Sequence, residues 1–268
     1  MTMQDTSIET LAHAYAETAA EAYGDQAAYL RSLPEGAWDG PTGCADWTVR
    51  DLAGHVVGEA VWFPTLVRGV TQGEAPLPDE RYQSLKTLPA ARLADTLEQA
   101  AHDIPRAVGE ATSDQLQQTA DVGFTKLPLW RAAYLPLAES IYHNWDLKVG
   151  RDATATIPTP WAVRLAGGMT DFAPMVASKE GASAAPGRYL LQVGDGVGPV
   201  TVIARDGRVT LESDATGTPD VTLHLTADQY ARIVAGRLDL VRATEQGDVA
   251  VEGDRSRALA LNRVFQGI

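Results

Sequence analysis

Glu139 and His143 stand four residues apart in the stretch Leu137-Ala138-Glu139-Ser140-Ile141-Tyr142-His143-Asn144-Trp145-Asp146. On a helix, residues i and i+4 share a face, with Cβ atoms roughly 5–6 Å apart. A carboxylate and an imidazole so placed can grip one ion. The apolar residues around the pair turn it inward. The same spacing also describes an ordinary Glu–His helix pair, worth a few tenths of a kcal/mol. An ion needs a third ligand, and His55 is the candidate. Leu52, His55, Val56, Glu59 and Trp62 follow the i, i+3, i+4, i+7 rhythm, so His55 lies on or beside a buried stripe. A single buried histidine is also commonly a hydrogen-bonded core residue.

Two neutral imidazoles and one carboxylate suit Zn²⁺, at roughly 2.0–2.2 Å per ligand. Three protein ligands leave a position open for water or substrate. Ni, Fe and Cu are alternatives for the same donor set. Asp146, three residues beyond His143, can orient that ligand from behind, or it can pair with Lys148 or Arg151. Glu59 lies four residues after His55 and is either a similar support or a rival to Glu139. His13 and His102 have polar surroundings and read as solvated. His224 alternates with Val221, Leu223 and Leu225 and faces away from the core side of its strand. Cys44 is the only cysteine, so it can form no internal disulfide. It reads as structural, because no histidine stands near it in sequence. Trp62, Trp130 and Trp145 read as core. G-x-S-x-G, HExxH and a glycine-rich phosphate loop are absent, and Gly194-Asp195-Gly196-Val197-Gly198 reads as a hairpin loop.

These residues must be positioned by helices. Leu11, Tyr15, Ala19, Tyr23, Ala27 and Leu30 predict a first helix over about 8–33, with Asp5, Thr6 or Ser7 as N-cap and Pro34 past its end. Thr48 and Asp51 form a capping-box pattern opening the second helix. Pro64 is expected to bend it, and 69–87 reads as loop. A third helix spans about 89–111 with Pro105 inside, and 112–128 reads as irregular. The fourth covers about 129–149, where Pro136 implies a kink or a late start. Four helices make an all-α bundle, a scaffold that builds metal sites from facing helices. After about Arg151 the pattern changes. A connecting helix runs to about Val176 and a small-residue linker spans 181–187. Strand-like runs follow at 189–193, 200–204, 209–213 and 221–225, with Asp206-Gly207 as a hairpin turn. Helices are expected at 227–235 and 255–265. This is an α+β module with an antiparallel sheet. The expected division is 1–152 for the bundle, 153–186 for the connection and 187–268 for the α+β part.

The chain has 268 residues, 45% of them hydrophobic and 21% charged, with a formal net charge of −13. That composition is of an ordinary globular protein. The acidic balance argues against sequence-independent nucleic-acid binding and against anionic membranes. Met1–Thr6 lacks a basic segment leading into an apolar core, so no signal peptide is expected. No apolar run reaches 18 residues. The expectation is a cytoplasmic protein, monomeric or a small homo-oligomer, acting on a small molecule.

Two segments carry a family resemblance. Cys44-Ala45-Asp46-Trp47-Thr48-Val49-Arg50-Asp51-Leu52-Ala53-Gly54-His55 is similar to the C-x-x-W-[TS]-V-x-D-L-x-x-H signature of the mycothiol-dependent maleylpyruvate isomerase family, within the DinB-like helical superfamily. Glu139-Ser140-Ile141-Tyr142-His143-Asn144-Trp145-Asp146-Leu147 resembles the E-x-x-x-H-x-x-D-[LI] signature of the same family. The resemblance covers about residues 8–150. It implies a DinB-like four-helix bundle with a divalent metal on His55, Glu139 and His143. It also implies mycothiol or a similar thiol as cosubstrate, for S-transfer or cis–trans isomerisation of a small electrophile. The segments 220–226 and 247–254 resemble a sterol-carrier-like domain often fused to such bundles. Arg237 and Arg242 are its candidates for holding an anionic substrate. Two further functions stay open: a metal enzyme of this fold that has dropped the thiol, and a non-catalytic small-molecule binding module.

Overall fold

The computed structural model describes residues 7–267, which form two compact units divided after Ala155. The first contains α1 (Ile8–Ser32), α2 (Val49–Gln72), α3 (Asp79–Lys86), α4 (Ala90–Gly109), α5 (Ser113–Leu116), β1 (Thr119–Asp121), β2 (Lys126–Pro128), α6 (Leu129–Ala132) and α7 (Tyr134–Val149). The long helices make the bundle: α1 packs on α4 and α7, and α2 on the same two. Tyr23, Leu30, Leu52, Phe63, Leu97, Ile104 and Leu137 fill the space between them, each at most 1% exposed.

Local chemistry sets the ends of these helices. The Ser7 hydroxyl accepts from the Thr10 amide; Asp5 and Thr6 lie outside the described residues. Thr48 and Asp51 form the reciprocal capping box expected of them. Gly73 closes α2 with φ 73°, in the left-handed region where glycine carries no Cβ penalty. Pro136 falls in the first turn of α7, where its missing N–H breaks no helical bond. The late start is therefore what occurs, with the break at Ala133 between α6 and α7. Helices α2 and α4 run on through Pro64 and Pro105.

The stretch 69–87 differs from the loop expected there. Helix α2 continues to Gln72, and Asp79–Lys86 forms α3. Only Leu85 of α3 is buried, so it has no apolar stripe for periodicity to reveal. Two glycines on α2 let it approach. A Cβ at Gly54 would lie 2.4 Å from the Lys86 carbonyl oxygen, and one at Gly58 would lie 2.8 Å from the Tyr82 ring. The stretch 112–128, expected to be irregular, holds the short helix α5 and the antiparallel pair β1–β2.

The second unit contains α8 (Thr159–Val176), α9 (Lys179–Ala184), β3 (Gly187–Val193), β4 (Gly198–Arg205), β5 (Arg208–Glu212), β6 (Val221–Leu225), α10 (Ala227–Val234), α11 (Leu240–Gln246), β7 (Ala250–Gly253) and α12 (Arg255–Val264). One sheet has the order β5-β4-β3-β6-β7. Three of its pairings are antiparallel, and β3–β6 is parallel, with Leu191 opposite Leu223. Asp206 and Gly207 turn the β4–β5 hairpin with φ 52° and 73°, as a two-residue turn requires. Part of the expected 181–187 linker is helix α9. There a Cβ on Gly181 would meet the Arg263 carbonyl oxygen at 1.7 Å, so the small residue marks a close packing contact. No described helix is long and apolar enough to cross a membrane.

Candidate metal centre

Helix α2 carries His55, and α7 carries Glu139, His143 and Asp146 one turn apart along one face. The two helices pack directly. The loop before α2 is drawn onto the C-terminal half of α7. The Gly43 amide donates to the Asp146 carbonyl at 2.8 Å. A Cβ on Gly43 would stand 2.6 Å from Asp146 Oδ1, and one on Gly150 would stand 2.1 Å from the Pro41 carbonyl oxygen. Glycine at both positions allows the contact. Asp46 then takes φ 65°, and the chain turns to set the half-exposed Trp47 ring 5.0 Å from that of His55.

Three donors converge. His55 Nε2 lies 3.3 Å from Glu139 Oε2, and His143 Nε2 lies 3.1 Å from the same oxygen. The three ligand atoms lie within 4.8 Å of one another. Around an ion with bonds of about 2.1 Å, tetrahedral donors stand about 3.4 Å apart. The spacing and the chemistry of this set therefore fit Zn²⁺. His143 is held from behind: its Nδ1 lies 2.9 Å from Asp146 Oδ2. Asp146 is fully buried. With Nδ1 carrying the proton toward that carboxylate, the Nε2 lone pair is free for an ion.

The charges are interdependent. Burial opposes ionisation of Glu139, but bonds from His143 and His55 outweigh it and hold the carboxyl well below the usual range. Burial likewise opposes a charge on His143, yet Asp146, Cys44 and Glu139 raise it well above the ordinary value. Without an ion, a proton on His143 does part of the work of a cation among these carboxylates.

Glu59 does not join the three donors. Its carboxylate accepts from the Tyr82 hydroxyl. Burial, and then the nearby Glu139, push it up, against the Tyr82 bond. Cys44 gains partners in space that its sequence surroundings do not show. No histidine is near it in sequence, but its Sγ lies 3.8 Å from His143 Nδ1 and 3.3 Å from Asp146 Oδ2. The thiol thus belongs to the support behind His143. Tyr82 was hidden in the polar α3, although Gly54 and Gly58 on α2 mark where another segment comes close. Trp47 sits in the first signature without an assigned role.

The remaining candidates lie elsewhere. His102 is exposed and His13 half-buried. His224 is exposed on β6 and pairs with Glu252. Trp145 is buried, its Nε1 donating to the Ala155 carbonyl, while Trp62 and Trp130 are half-buried. Arg237 Nη1 donates to the Ala235 carbonyl, and Arg242 is exposed on α11. Both arginines belong to the second unit, whereas every donor of the cluster comes from the first.

Comparison with known proteins agrees with this architecture. The family model described as SCP-2 sterol transfer family matches residues 176–266. The crystal structure of the mycothiol-dependent maleylpyruvate isomerase superposes with a TM-score of 0.60 at 19% identity, covering 89% of this chain and 92% of that one. A histidine-to-alanine mutant of that enzyme gives a TM-score of 0.59 over the same coverage, also at 19% identity. At this identity the likeness is one of fold. The search of curated proteins gave no match. The family model described as mycothiol maleylpyruvate isomerase N-terminal domain matches residues 10–148. That span is more than half of the chain, and the chain therefore belongs to this family.

Proposed function

We propose that the chain is a metal-dependent enzyme that uses a low-molecular-weight thiol of the mycothiol type, for cis–trans isomerisation or S-transfer on a small electrophilic substrate. The observation that carries this reading is the meeting of His55 Nε2 and His143 Nε2 on Glu139 Oε2, from helices remote in sequence. Membership of the maleylpyruvate isomerase family supports the thiol and the reaction class.

His55, Glu139 and His143 would hold a divalent ion, with Zn²⁺ suited best and Ni, Fe or Cu accepting similar donors. Such an ion lowers the pKa of a bound group and polarises a substrate carbonyl. The protein's own groups do the rest. Asp146 fixes the orientation of the His143 ring and the position of its proton. Cys44 fills the space behind that ring; it is the support of a ligand, and the reacting sulfur belongs to the cosubstrate. Trp47 covers one side of His55 and limits access of water there. Glu59, held by the Tyr82 hydroxyl, is a second carboxyl group near the ligands.

The match of residues 176–266 to the SCP-2 sterol transfer family favours one additional reading, binding of an apolar ligand by the second unit. Two measurements separate these functions. Elemental analysis of the purified protein should find close to one divalent ion per chain. Turnover of a cis-alkenoic substrate should require added thiol. Metal without thiol dependence would favour a thiol-independent enzyme of the same fold, and a metal-free, inactive protein would favour a binding module.

A further inference from the structure

Tyr23 is completely buried, and its hydroxyl has no hydrogen-bond partner among the described residues. A buried hydroxyl left without a partner costs about 1–3 kcal/mol, so its persistence at a packed helix interface needs an account. Its position is well defined. On either side of it along α1, Asn144 Nδ2 donates to the Ala22 carbonyl at 3.1 Å, and Gln26 Nε2 donates to the Ser140 carbonyl at 2.6 Å. Tyr23 is therefore held against the turn of α7 that begins at Glu139. After burial, the largest influence raising its pKa is the Glu139 charge, followed by Glu59 and Tyr82.

Glu139 has a complementary gap. Both imidazoles meet the same oxygen, Oε2, so neither of them engages Oε1. A carboxylate that ligates through one oxygen is ordinarily hydrogen-bonded through the other, and loss of such a partner typically costs 10–100-fold in metal affinity. Glu59 already has its phenol, Tyr82. We propose that Tyr23 is the positioning residue for Glu139: its hydroxyl donates to Oε1, directly or through one water, when the three ligands close on the ion. Tyr23 then does for the carboxylate what Asp146 does for His143. The inference rests on the metal reading above and adds a residue to it.

Tyr23→Phe removes only the hydroxyl. The zinc-free and zinc-loaded forms of wild type and variant should be compared by thermal unfolding, by zinc titration, and by visible absorption after cobalt substitution. The metal-free variant should unfold at the same temperature as wild type or higher, because the unpartnered hydroxyl is gone. Its zinc affinity should fall about 10–100-fold. Its cobalt bands should weaken as Glu139 swings to bidentate contact and the coordination number rises. A metal-free variant that is clearly less stable than wild type would make Tyr23 a packing residue and overturn the proposal. Unchanged zinc affinity with an unchanged cobalt spectrum would overturn it as well. Failure of the wild-type protein to take up either metal is a different result, and it would remove the metal reading itself.

Discussion

Among the described residues, histidine and glutamate come together in two places, and they make opposite use of the same chemistry. On β6 and β7, His224 and Glu252 meet at 2.9 Å, with 45% and 72% of their side-chain surfaces exposed. In the bundle, His55 and His143 meet Glu139 at 3.3 and 3.1 Å, with the imidazoles 21% and 11% exposed. The distances are alike, so distance does not distinguish them. The first is one cross-strand pair in water, where salt and solvent leave it about 0–1 kcal/mol. The second is a three-way convergence whose members come from two helices, and whose His143 has a buried carboxylate behind it. A third donor and a fixed ring orientation separate a candidate metal centre from a surface pair.

The largest effect should come from deleting a member of the convergent set. His143→Ala should lower zinc affinity by more than 100-fold, beyond the loss expected from an outer partner alone, while circular dichroism stays helical. Full zinc occupancy in the purified variant would put the two regions on the same footing. The metal-free protein adds a pH signature. Glu139 is depressed in the folded state, so its contribution is present above its ordinary value of 4.5 and is lost as pH falls through the lower folded value. His143 is raised, so its contribution is complete below 6.5 and is lost as pH rises through the higher folded value. The two overlap fully between pH 4.5 and 6.5. Metal-free wild type should therefore exceed metal-free His143→Ala in stability most clearly in that window, as read by thermal unfolding across pH. A difference that keeps growing above pH 8 would contradict this assignment of charges.

Asp146→Asn should have the next effect. The amide can keep the shape of the contact with His143 but no longer supplies a carboxylate for Nδ1–H. Zinc affinity should drop about 10–100-fold, less than on losing the ligand. An equal loss in the two variants would mean that Asp146 is itself a ligand. Isothermal titration of both decides between these outcomes.

The sequence made the site more legible than much of its surroundings. Glu139, His143 and Asp146 are local on one helix, so the period of 3.6 reveals them, and His55 lies on a strongly patterned face. Cys44 was harder, because its partners are 99 and 102 residues away. Their meeting depends on Gly43 and Gly150, whose role is to leave space. Tyr82 and Glu59 became a pair only through α3, a helix stabilised by a glycine-lined approach to α2 and not by an apolar stripe. Similarly, β7 is four residues long with no fully buried side chain, too short for alternation to appear. The parallel β3–β6 pairing has no hairpin turn to announce it. In each case the structural cause lies between segments distant in the chain, where single-segment patterns carry no signal.

The smallest expected effect completes the comparison. His224→Ala removes an imidazole about as close to a carboxylate as those of the bundle. The partners are solvated, and among the described residues no third donor joins them and no carboxylate stands behind the ring. Zinc content should be unchanged, and unfolding free energy should move by no more than about 1 kcal/mol, the upper end for an exposed pair. Loss of zinc in this variant would mean that a histidine–glutamate distance near 3 Å suffices for a site. The distinction drawn from burial, convergence and support behind the ring would then fail. If zinc is retained there and lost in His143→Ala, the same two residue types will have been separated by their surroundings alone.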